Sequence, residues 1–351
     1  MDRIFILSIP VIFFYNNFMK AVYVKEFGGI ENLEIREIGN PPQPTGNEVL
    51  VSVKASALNR ADILQRKGLY PAPKGYPSEI LGLEFAGEVA QIGKNVKNFA
   101  IGDRVFGITS GGAQAEFLLS DKSLLVEIPN NLSFTEAAAI PEAFITAHDA
   151  IFTLGKLKKG ETLLIHAVGS GVGLAALQLA KAKKIKVIGT SRKFNKLEKC
   201  KEFGLDYGIV MNVDLSQNSQ YFTDTIQYYA GEKGVDVILD LVGGGYFEAN
   251  LESLNSQGRL LLVGLTAGAK AEFNLGIALR KRLSIIGTVL RSRLIMEKAE
   301  ATKKFAKEVV PLLKSGVIRP NIDQIFQLVD IQKAHQYLES NESFGKIVLE
   351  F

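Results

Sequence analysis

The sequence predicts an α/β protein in which a doubly wound parallel sheet is inserted into a mainly β domain. An apolar run, closely spaced glycines and a second apolar stretch follow one another over residues 162–180. Strand-like and helix-like segments then alternate, whereas short strands separated by glycine and proline dominate the chain on either side. We therefore divide the chain into an N-terminal extension (1–18), a first part of the β domain (19–141), the inserted domain (142–282) and a return segment (283–351).

Residues 162–180 are predicted to form a buried strand, a glycine turn and a helix. The apolar run at 163–165 suits a parallel strand covered on both faces, and Gly169, Gly171 and Gly173 follow at once. In such a turn the missing Cβ atoms let a pyrophosphate approach the amides at the helix N-terminus, and the last glycine lets helix and strand pack closely. The spacing departs from G-x-G-x-x-G, because Val168 and Ser170 stand where the first two glycines belong. A glycine-rich turn without a ligand therefore remains an alternative.

The segments after this turn repeat the alternation of strand and helix. Further strands are predicted at 186–190, 207–211, 235–240 and 259–264, with helices at 193–203 and 220–230. This alternation indicates a doubly wound parallel sheet. Ligands of such sheets bind at the carboxyl ends of the strands, where the glycine turn also lies.

The outer parts of the chain are predicted to form one folded-over β domain. Strands are predicted at 19–25, 33–38, 48–54, 82–90, 102–107 and 113–119. After Arg282 the chain returns to this domain with a strand at 283–287, a long amphipathic helix at 296–313 and a closing strand at 344–350. The insertion leaves a cleft between the domains, which is where substrates usually bind.

Composition narrows the class of protein. A chain of 351 residues with 47% hydrophobic and 22% charged residues is typical of a globular protein of two domains. The net charge of +4 is spread without a basic block, so no nucleic-acid partner is expected. Cys200 is the only cysteine, which precludes a disulfide within the chain and fits a reducing compartment. With one cysteine and three histidines far apart in sequence, no zinc site is expected.

Residues 1–18 are expected to lie outside the folded domains. The apolar stretch at 4–15 superficially resembles the core of a signal peptide, but Pro10 interrupts it and it is too short to span a bilayer. No small-residue cleavage site follows. The preferred interpretation is a dispensable extension before a start at Met19, with a targeting or anchoring segment as the minority alternative. We therefore expect a cytoplasmic protein without a membrane partner.

Short motifs, each weak alone, together give the chain a specific likeness to a family from Met19 to Phe351. In order they are Ala57-Leu-Asn-Arg-Ala-Asp62, Gly68-Leu-Tyr70, Leu81-Gly-Leu-Glu-Phe-Ala-Gly87, Gly102-Asp-Arg-Val105, Ala138-Ala-Ile-Pro-Glu142, Ser170-Gly-Val-Gly173, Leu290-Arg-Ser-Arg293 and Gly345-Lys-Ile-Val348. In these motifs the chain resembles the zeta-crystallin-like quinone oxidoreductases, a zinc-free branch of the medium-chain dehydrogenase/reductase superfamily, and within it most closely the members induced by a tumour suppressor in animals. The resemblance implies a Rossmann domain inserted into a GroES-like catalytic domain, NADPH as cofactor and a homodimer.

The residues themselves agree with a zinc-free reaction. In zinc alcohol dehydrogenases of the same superfamily, the segment equivalent to residues 82–84 carries a histidine ligand in its middle position, whereas this chain has Leu83. Without a Lewis acid, alcohol oxidation lacks an obvious means of lowering the hydroxyl pKa. A quinone accepts hydride directly and delocalises the charge, so it demands less of the protein. The expected reaction is therefore NADPH-dependent, zinc-independent reduction of a small quinone.

By the same resemblance, Asn59, Tyr70 and Thr146 would line the cleft near the nicotinamide. Asn59 would hydrogen-bond the ribose or carboxamide, although a helix cap is an equally good interpretation. Tyr70 would orient the substrate or donate a proton to the developing quinol oxygen, with simple packing or a water in its place as alternatives. Glu84 is expected to hold a structural hydrogen bond. The further implied cofactor contacts are Ser170, Gly171, Val172, Gly173, Gly264, Arg291 and Lys346.

The end of the second strand of the parallel sheet predicts which nicotinamide cofactor is used. NAD-binding folds place an acidic residue about 20 residues beyond the glycines, where it accepts hydrogen bonds from the ribose 2′-hydroxyl. Here Ser191 takes that place, and the basic residues Arg192, Lys193 and Lys196 follow and can bind a 2′-phosphate. NADPH is therefore the expected cofactor. One family contact is missing, since a tyrosine often found after the third strand is replaced by Val213.

Two other functions remain open at this point. Reduction of the double bond of an α,β-unsaturated carbonyl uses the same cofactor and scaffold, but it needs a positioned proton donor for the α-carbon. A protein that holds NADPH without significant turnover, as in the recruitment of such folds as crystallins, is the third alternative.

Overall fold

The structure is a computed structural model that describes residues 17–211 and 215–351. The predictions for residues 1–16 and the family departure at Val213 lie outside the described residues. The first strand begins at Phe18, which pairs with Gly39. Phe18 therefore belongs to the fold, and the predicted extension ends one residue too late.

Among the described residues, the β domain consists of a seven-stranded sheet and a two-stranded hairpin. The hairpin pairs β1 (Phe18–Val24) with β2 (Leu33–Gly39). The sheet contains β3 (Glu48–Leu58), β4 (Glu84–Ile92), β5 (Arg104–Ile108), β6 (Phe117–Asp121), β7 (Leu125–Glu127), β14 (Ile322–Gln327) and β15 (Lys346–Glu350). Strand β3 pairs antiparallel with β4, β6 and β15. Since β14 and β15 come from the return segment, both outer parts of the chain form one domain, as predicted.

The inserted domain is a wholly parallel sheet with the strand order β10-β9-β8-β11-β12-β13 among the described residues. Its strands are β8 (Thr162–Ile165), β9 (Lys186–Ser191), β10 (Tyr207–Val210), β11 (Val235–Asp240), β12 (Leu254–Leu262) and β13 (Ser284–Gly287). In chain order within the sheet this is 3-2-1-4-5-6, the order of a doubly wound dinucleotide-binding fold. The predicted fold class is confirmed.

The outermost strand corrects one prediction from the sequence. The sequence pattern places residues 283–287 in the return segment, but β13 pairs parallel with β12, with Ser284 opposite Arg259. Neighbouring parallel strands need a crossover connection. Helix α8 (Leu275–Lys281), which the sequence analysis does not predict, supplies it. The chain therefore returns to the β domain only after Gly287.

The helices mostly follow the predicted pattern, with one break. They are α1 (Arg60–Arg66), α2 (Phe134–Ala138), α3 (Pro141–His148), α4 (Gly171–Ala182), α5 (Phe194–Cys200), α6 (Leu215–Ala230), α7 (Phe247–Ser253), α8, α9 (Ile295–Glu308), α10 (Val310–Lys314) and α11 (Ile331–Glu339). The helix predicted at 296–313 is divided into α9 and α10, because Pro311 has no N–H to continue the hydrogen-bond ladder. In the described part of the chain, no helix is long and apolar enough to cross a membrane.

The largest hydrophobic cluster among the described residues contains side chains of both domains. Phe106 of β5 meets Phe305 of α9 edge to face, with ring centroids 5.8 Å apart. The same core contains Leu163 of β8 and Leu177 of α4. Because the core is continuous, side chains from the β domain and from the parallel sheet are held at fixed positions around one site.

Candidate active site

The glycine turn leads from β8 into α4 and is closed by Ser170. The Ser170 hydroxyl accepts a hydrogen bond from the Gly173 N–H at 3.1 Å, which caps the helix. A Cβ at position 173 would lie 2.6 Å from the Ala167 carbonyl oxygen. Gly173 therefore permits the close packing of strand and helix that the sequence predicts. The four candidate cofactor contacts at 170–173 lie at the carboxyl end of the central strand.

The start of β15 lies directly against this turn. The Gly345 N–H donates to the Gly169 carbonyl at 3.0 Å, and Gly345 forms a parallel bridge with Ser170. A Cβ at position 171 would lie 2.5 Å from Cδ of Lys346. Gly171 is therefore needed for the passage of the Lys346 side chain, a reason that the sequence analysis did not anticipate.

Lys346 anchors a buried polar network in which every donor of its ammonium group is used. Its Nζ donates to Glu84 Oε1 at 2.6 Å, to Asn59 Oδ1 at 2.7 Å and to the Leu58 carbonyl at 2.8 Å. The side chain of Lys346 is 6% exposed and that of Glu84 is fully buried. Lys346 was predicted to contact the cofactor, but in this structure its ammonium group is bound to protein acceptors.

Asn59 takes part in the same network and also begins helix α1. Its side-chain amide donates to Glu84 Oε1 at 2.8 Å, while its backbone N–H donates to the Asp62 carboxylate at 2.7 Å. Asn59 stands at the N-cap position of α1, as the helix-cap interpretation predicts, but its side-chain oxygen accepts from Lys346 and its amide donates to Glu84. The predicted contact with the nicotinamide ribose or carboxamide stays a prediction.

Asp62 links α1 to the segment before β4. Its second carboxylate oxygen accepts the Gly82 N–H at 3.0 Å. Burial raises the pKa of Asp62 to about 6, although the backbone N–H groups of Asn59 and Gly82 lower it. Gly82 has a φ of +101° and no room for a Cβ, which would lie 2.6 Å from the Gln114 nitrogen. The contact between the start of α1 and the segment before β4 is therefore fixed by the backbone conformation of Gly82 and by the buried carboxylate of Asp62.

Glu84 joins four elements at one point. Besides Asn59 and Lys346, it accepts a hydrogen bond from the Glu142 N–H at 2.9 Å through Oε2. It thereby connects β4 with α1, β15 and the first turn of α3. The structural hydrogen bond expected of Glu84 is confirmed.

Tyr70 is held beside the network by Arg291. The Arg291 guanidinium donates to the carbonyl oxygens of Tyr70 at 2.9 Å and Ser110 at 2.8 Å, and also to the Gln65 side chain. It lies 5.0 Å from the centroid of the Tyr70 ring. Burial raises the pKa of Tyr70, and Arg291 opposes this effect. The predicted cofactor contact Arg291 is thus buried and positions the loop that carries Tyr70.

Helix α3 carries Thr146 and Glu142 on one face, and its first turn contacts Glu84 through the Glu142 N–H. They are the two residues of this helix that are not buried, and four positions separate them, so they lie on the same face. Sequence reasoning did not single out Glu142, which is the last residue of the motif at 138–142. A carboxyl group directly after a proline at a helix start was the available signal.

The residues predicted to bind a 2′-phosphate lie at the carboxyl end of β9. The Ser191 hydroxyl accepts the Lys193 N–H at 3.2 Å, and Lys193 forms an ion pair with Glu342. Lys196 donates to the carbonyl oxygens of Asn341 at 2.8 Å and Ser343 at 2.6 Å. Burial lowers the pKa of Lys196, and the neighbouring charge of Lys193 adds to this effect.

Arg192 differs from these two lysines. Its side chain is exposed, and among the described residues it makes neither a hydrogen bond nor an ion pair. The remaining predicted contact, Gly264, lies beyond β12, where a Cβ would come within 2.7 Å of the Leu241 carbonyl oxygen. Arg192 is therefore the basic group best placed to accept a new anionic partner.

We predict that metal takes no part in the activity. Leu83, at the position of the zinc-ligand histidine in zinc alcohol dehydrogenases, is 2% exposed and packs in the interior. Over residues 17–211 and 215–351, no group of three or more histidine, cysteine, aspartate or glutamate side chains has the geometry of a metal site. Elemental analysis should find no stoichiometric zinc, and chelators should leave turnover unchanged. Activity that is lost to a chelator and restored by zinc would contradict this prediction.

A doubly wound parallel sheet with a capped glycine turn, inserted into a β domain, is the architecture of a two-domain dinucleotide-binding enzyme. Family models agree: the alcohol dehydrogenase GroES-like domain matches residues 45–130, and the zinc-binding dehydrogenase model matches residues 171–308. The quinone oxidoreductase of Pseudomonas aeruginosa is 34% identical over 336 residues, covering 94% of this chain and 99% of that protein. The quinone oxidoreductase of Rattus norvegicus is 32% identical over 333 residues, covering 94% and 97%.

Solved structures give the same result. The quinone oxidoreductase of Pseudomonas syringae pv. tomato superposes with a TM-score of 0.84 at 30% identity, covering 95% of this chain and 100% of that one. A mycobacterial protein in complex with NADPH has a TM-score of 0.83 at 28% identity, with 95% and 100% covered. The JamJ enoyl reductase has a TM-score of 0.83 at 26% identity, with 95% and 99% covered. The chain belongs to the quinone oxidoreductase family of the medium-chain dehydrogenase/reductase superfamily. It is an oxidoreductase that uses a nicotinamide-type dinucleotide.

Proposed function

We propose that this enzyme reduces quinones with NADPH and without zinc. The observation that carries the proposal is the match to proteins named quinone oxidoreductase over 94% of the chain. The site chemistry is compatible with it, because its polar groups are amide, carboxyl, hydroxyl and ammonium groups around Asn59, Tyr70 and Lys346. Such groups orient a substrate and move protons but do not polarise an alcohol as a metal does.

The residues at the carboxyl edge of the parallel sheet fit an adenine dinucleotide. The turn at 170–173 would hold the pyrophosphate at the N-terminus of α4, while Ser191 and Arg192 would bind the 2′-phosphate. A bound dihydronicotinamide supplies a hydride to the substrate. Thr146 would lie beside its ring on the exposed face of α3, and the network around Glu84 would keep the wall of the cleft rigid. Catalysis would then rest mostly on orientation and on exclusion of water.

Reduction of an α,β-unsaturated carbonyl is the second candidate, favoured by the likeness to an enoyl reductase. We predict that Tyr70→Phe lowers kcat for a quinone by less than about tenfold, whereas a proton donor essential to enone reduction would be worth about 10² to 10⁴. The measurement is NADPH oxidation at 340 nm with a panel of quinones and enones. Enone turnover that exceeds quinone turnover and vanishes in the variant would reverse the order of the two candidates.

The same panel tests the proposal against a protein that only binds NADPH. Quenching of the intrinsic tyrosine fluorescence would report cofactor binding, since the chain has 10 tyrosines and no tryptophan. Binding of NADPH without oxidation by any acceptor would contradict the proposed activity.

We also propose that the enzyme acts as a homodimer. The outer strand β13 exposes Ile285, and helix α8 beside it exposes Leu275 and Leu279, of which the latter is 78% exposed. An apolar surface next to an open sheet edge is the kind of surface that a second copy would cover.

A further inference from the structure

Glu142 is a carboxylic acid beside the network of Glu84 and Lys346, and its side chain has no hydrogen-bond partner among the described residues. Its backbone N–H is bound to Glu84, but among the described residues its carboxyl group makes no hydrogen bond. The two carboxyl oxygens are not sealed from solvent either. The carboxyl group therefore has no partner in the described part of the chain and is not sealed from solvent, and it lies on the same helix face as Thr146.

Charged and titratable groups from every neighbouring element surround Glu142. These are Asp62 of α1, Tyr70 in the loop after it, Glu84 of β4, Arg291 in the loop after β13, Lys298 of α9 and Lys346 of β15. Burial raises the pKa of Glu142 to about 8, and the charges of Glu84 and Asp62 add to this, whereas Lys346 and Arg291 oppose it. Lys346 is already bound to Glu84, which explains why it does not neutralise a second carboxylate.

We propose that the carboxyl group of Glu142 donates the proton that completes quinone reduction. This inference rests on the proposed function. The quinone accepts a hydride, with its two electrons, and becomes a hydroquinone monoanion. The O–H bond of the Glu142 carboxyl breaks, its proton forms the O–H bond of the neutral quinol, and the carboxylate left behind takes a proton from solvent. The sum is quinone plus hydride plus one proton giving quinol.

The chemistry of the site favours Glu142 over Tyr70 as the donor. An efficient general acid has a pKa near the working pH, because it is then largely protonated and still acidic enough to transfer its proton. Burial raises the pKa of Tyr70 above its ordinary value of 10, which makes the phenol a poor acid at neutral pH. With Glu142 as the donor, kcat falls as the pH rises through about 8. With Tyr70 as the donor, no such loss occurs below about pH 10.

The test compares wild-type enzyme with Glu142→Gln, which keeps the shape of the side chain but has no acidic proton. We expect kcat of the variant at pH 7 to fall about 100-fold for quinones whose quinols are weak acids. The loss above pH 8 and the solvent deuterium isotope effect should both disappear. For strongly electron-poor quinones, whose quinol anions need no acid, kcat should stay within about threefold of wild type. Glu202→Gln is the matched control and should behave as wild type, because this exposed glutamate lies in the turn after α5 and makes no hydrogen bond or ion pair among the described residues.

Two measurements independent of turnover complete the experiment. NADPH affinity, read from tyrosine fluorescence, should be unchanged in Glu142→Gln. The wild-type free energy of unfolding in urea should decline relative to this variant as the pH rises from 4.5 to about 8, because the folded state keeps a proton that the unfolded chain releases. A variant that retains the wild-type loss above pH 8 and its isotope effect would overturn this inference alone. If none of the quinones supports NADPH oxidation by the wild-type enzyme, the proposed function and this inference are both overturned.

Discussion

Replacing Lys346 with methionine should destabilise the protein by about 3 to 5 kcal/mol, the largest stability loss that we expect from any single change in the site. The substitution keeps most of the side-chain volume and the packing of its stem against Gly171. It removes the ammonium group that neutralises Glu84, whose side chain is fully buried. A buried carboxylate without a partner is far more costly than a surface charge, because nothing replaces its lost hydration.

Urea denaturation of wild type and variant at pH 7 measures this loss. The matched control is Lys54→Met, which breaks an ion pair with Glu88 between β3 and β4, whereas Lys346 and Glu84 join β15 to β4. The side chains of Lys54 and Glu88 are 42% and 43% exposed and 3.5 Å apart, so the control should cost at most about 1 kcal/mol. The double variant Lys346→Met with Glu84→Gln should recover much of the stability. A Lys346→Met variant no less stable than Lys54→Met would contradict the role assigned to the network.

The parallel sheet was predictable because its signals are local. A strand, a turn and a helix each show their own periodicity within about 10 to 20 residues, and the doubly wound order follows from their alternation. The exception is β13, which depends on α8. That helix has only seven residues, includes Gly276 and exposes Leu275 and Leu279, so its apolar pattern does not stand out.

The polar network was not predictable from residue patterns, because its members are far apart in the chain. Lys346 is 262 positions from Glu84 and 287 from Asn59. The family likeness pointed to Asn59 and Lys346 but assigned both to the cofactor. Only the geometry shows that their polar atoms bind each other and Glu84, and that the carboxyl group of Glu142 beside them is left without a hydrogen bond among the described residues. Such pairings arise from the packing of β3, β4 and β15 and leave no periodic trace in the sequence.

The choice of cofactor should show the second large effect. We expect kcat/KM with NADPH to exceed that with NADH by at least about tenfold, which corresponds to about 1.4 kcal/mol. Ser191→Asp should erase or reverse this preference, because a carboxylate at the end of β9 repels a 2′-phosphate and accepts hydrogen bonds from a 2′-hydroxyl. Steady-state kinetics with both cofactors and one quinone provide the measurement.

Within this region the structure singles out Arg192 as the main source of the preference. Lys193 pairs with Glu342, and Lys196 is bound to two carbonyl oxygens, so recruiting either to a phosphate would break existing contacts. Arg192→Ala should therefore lower kcat/KM for NADPH about tenfold and leave that for NADH unchanged. Lys201→Ala, which removes an exposed charge beyond the other end of α5, should alter neither.

Equal efficiency with both cofactors in the unmodified enzyme would show that the basic residues after β9 do not select the phosphate. A preference that survives Arg192→Ala but is lost in Lys196→Ala would instead mean that the loop at 341–343 releases Lys196 when the cofactor binds.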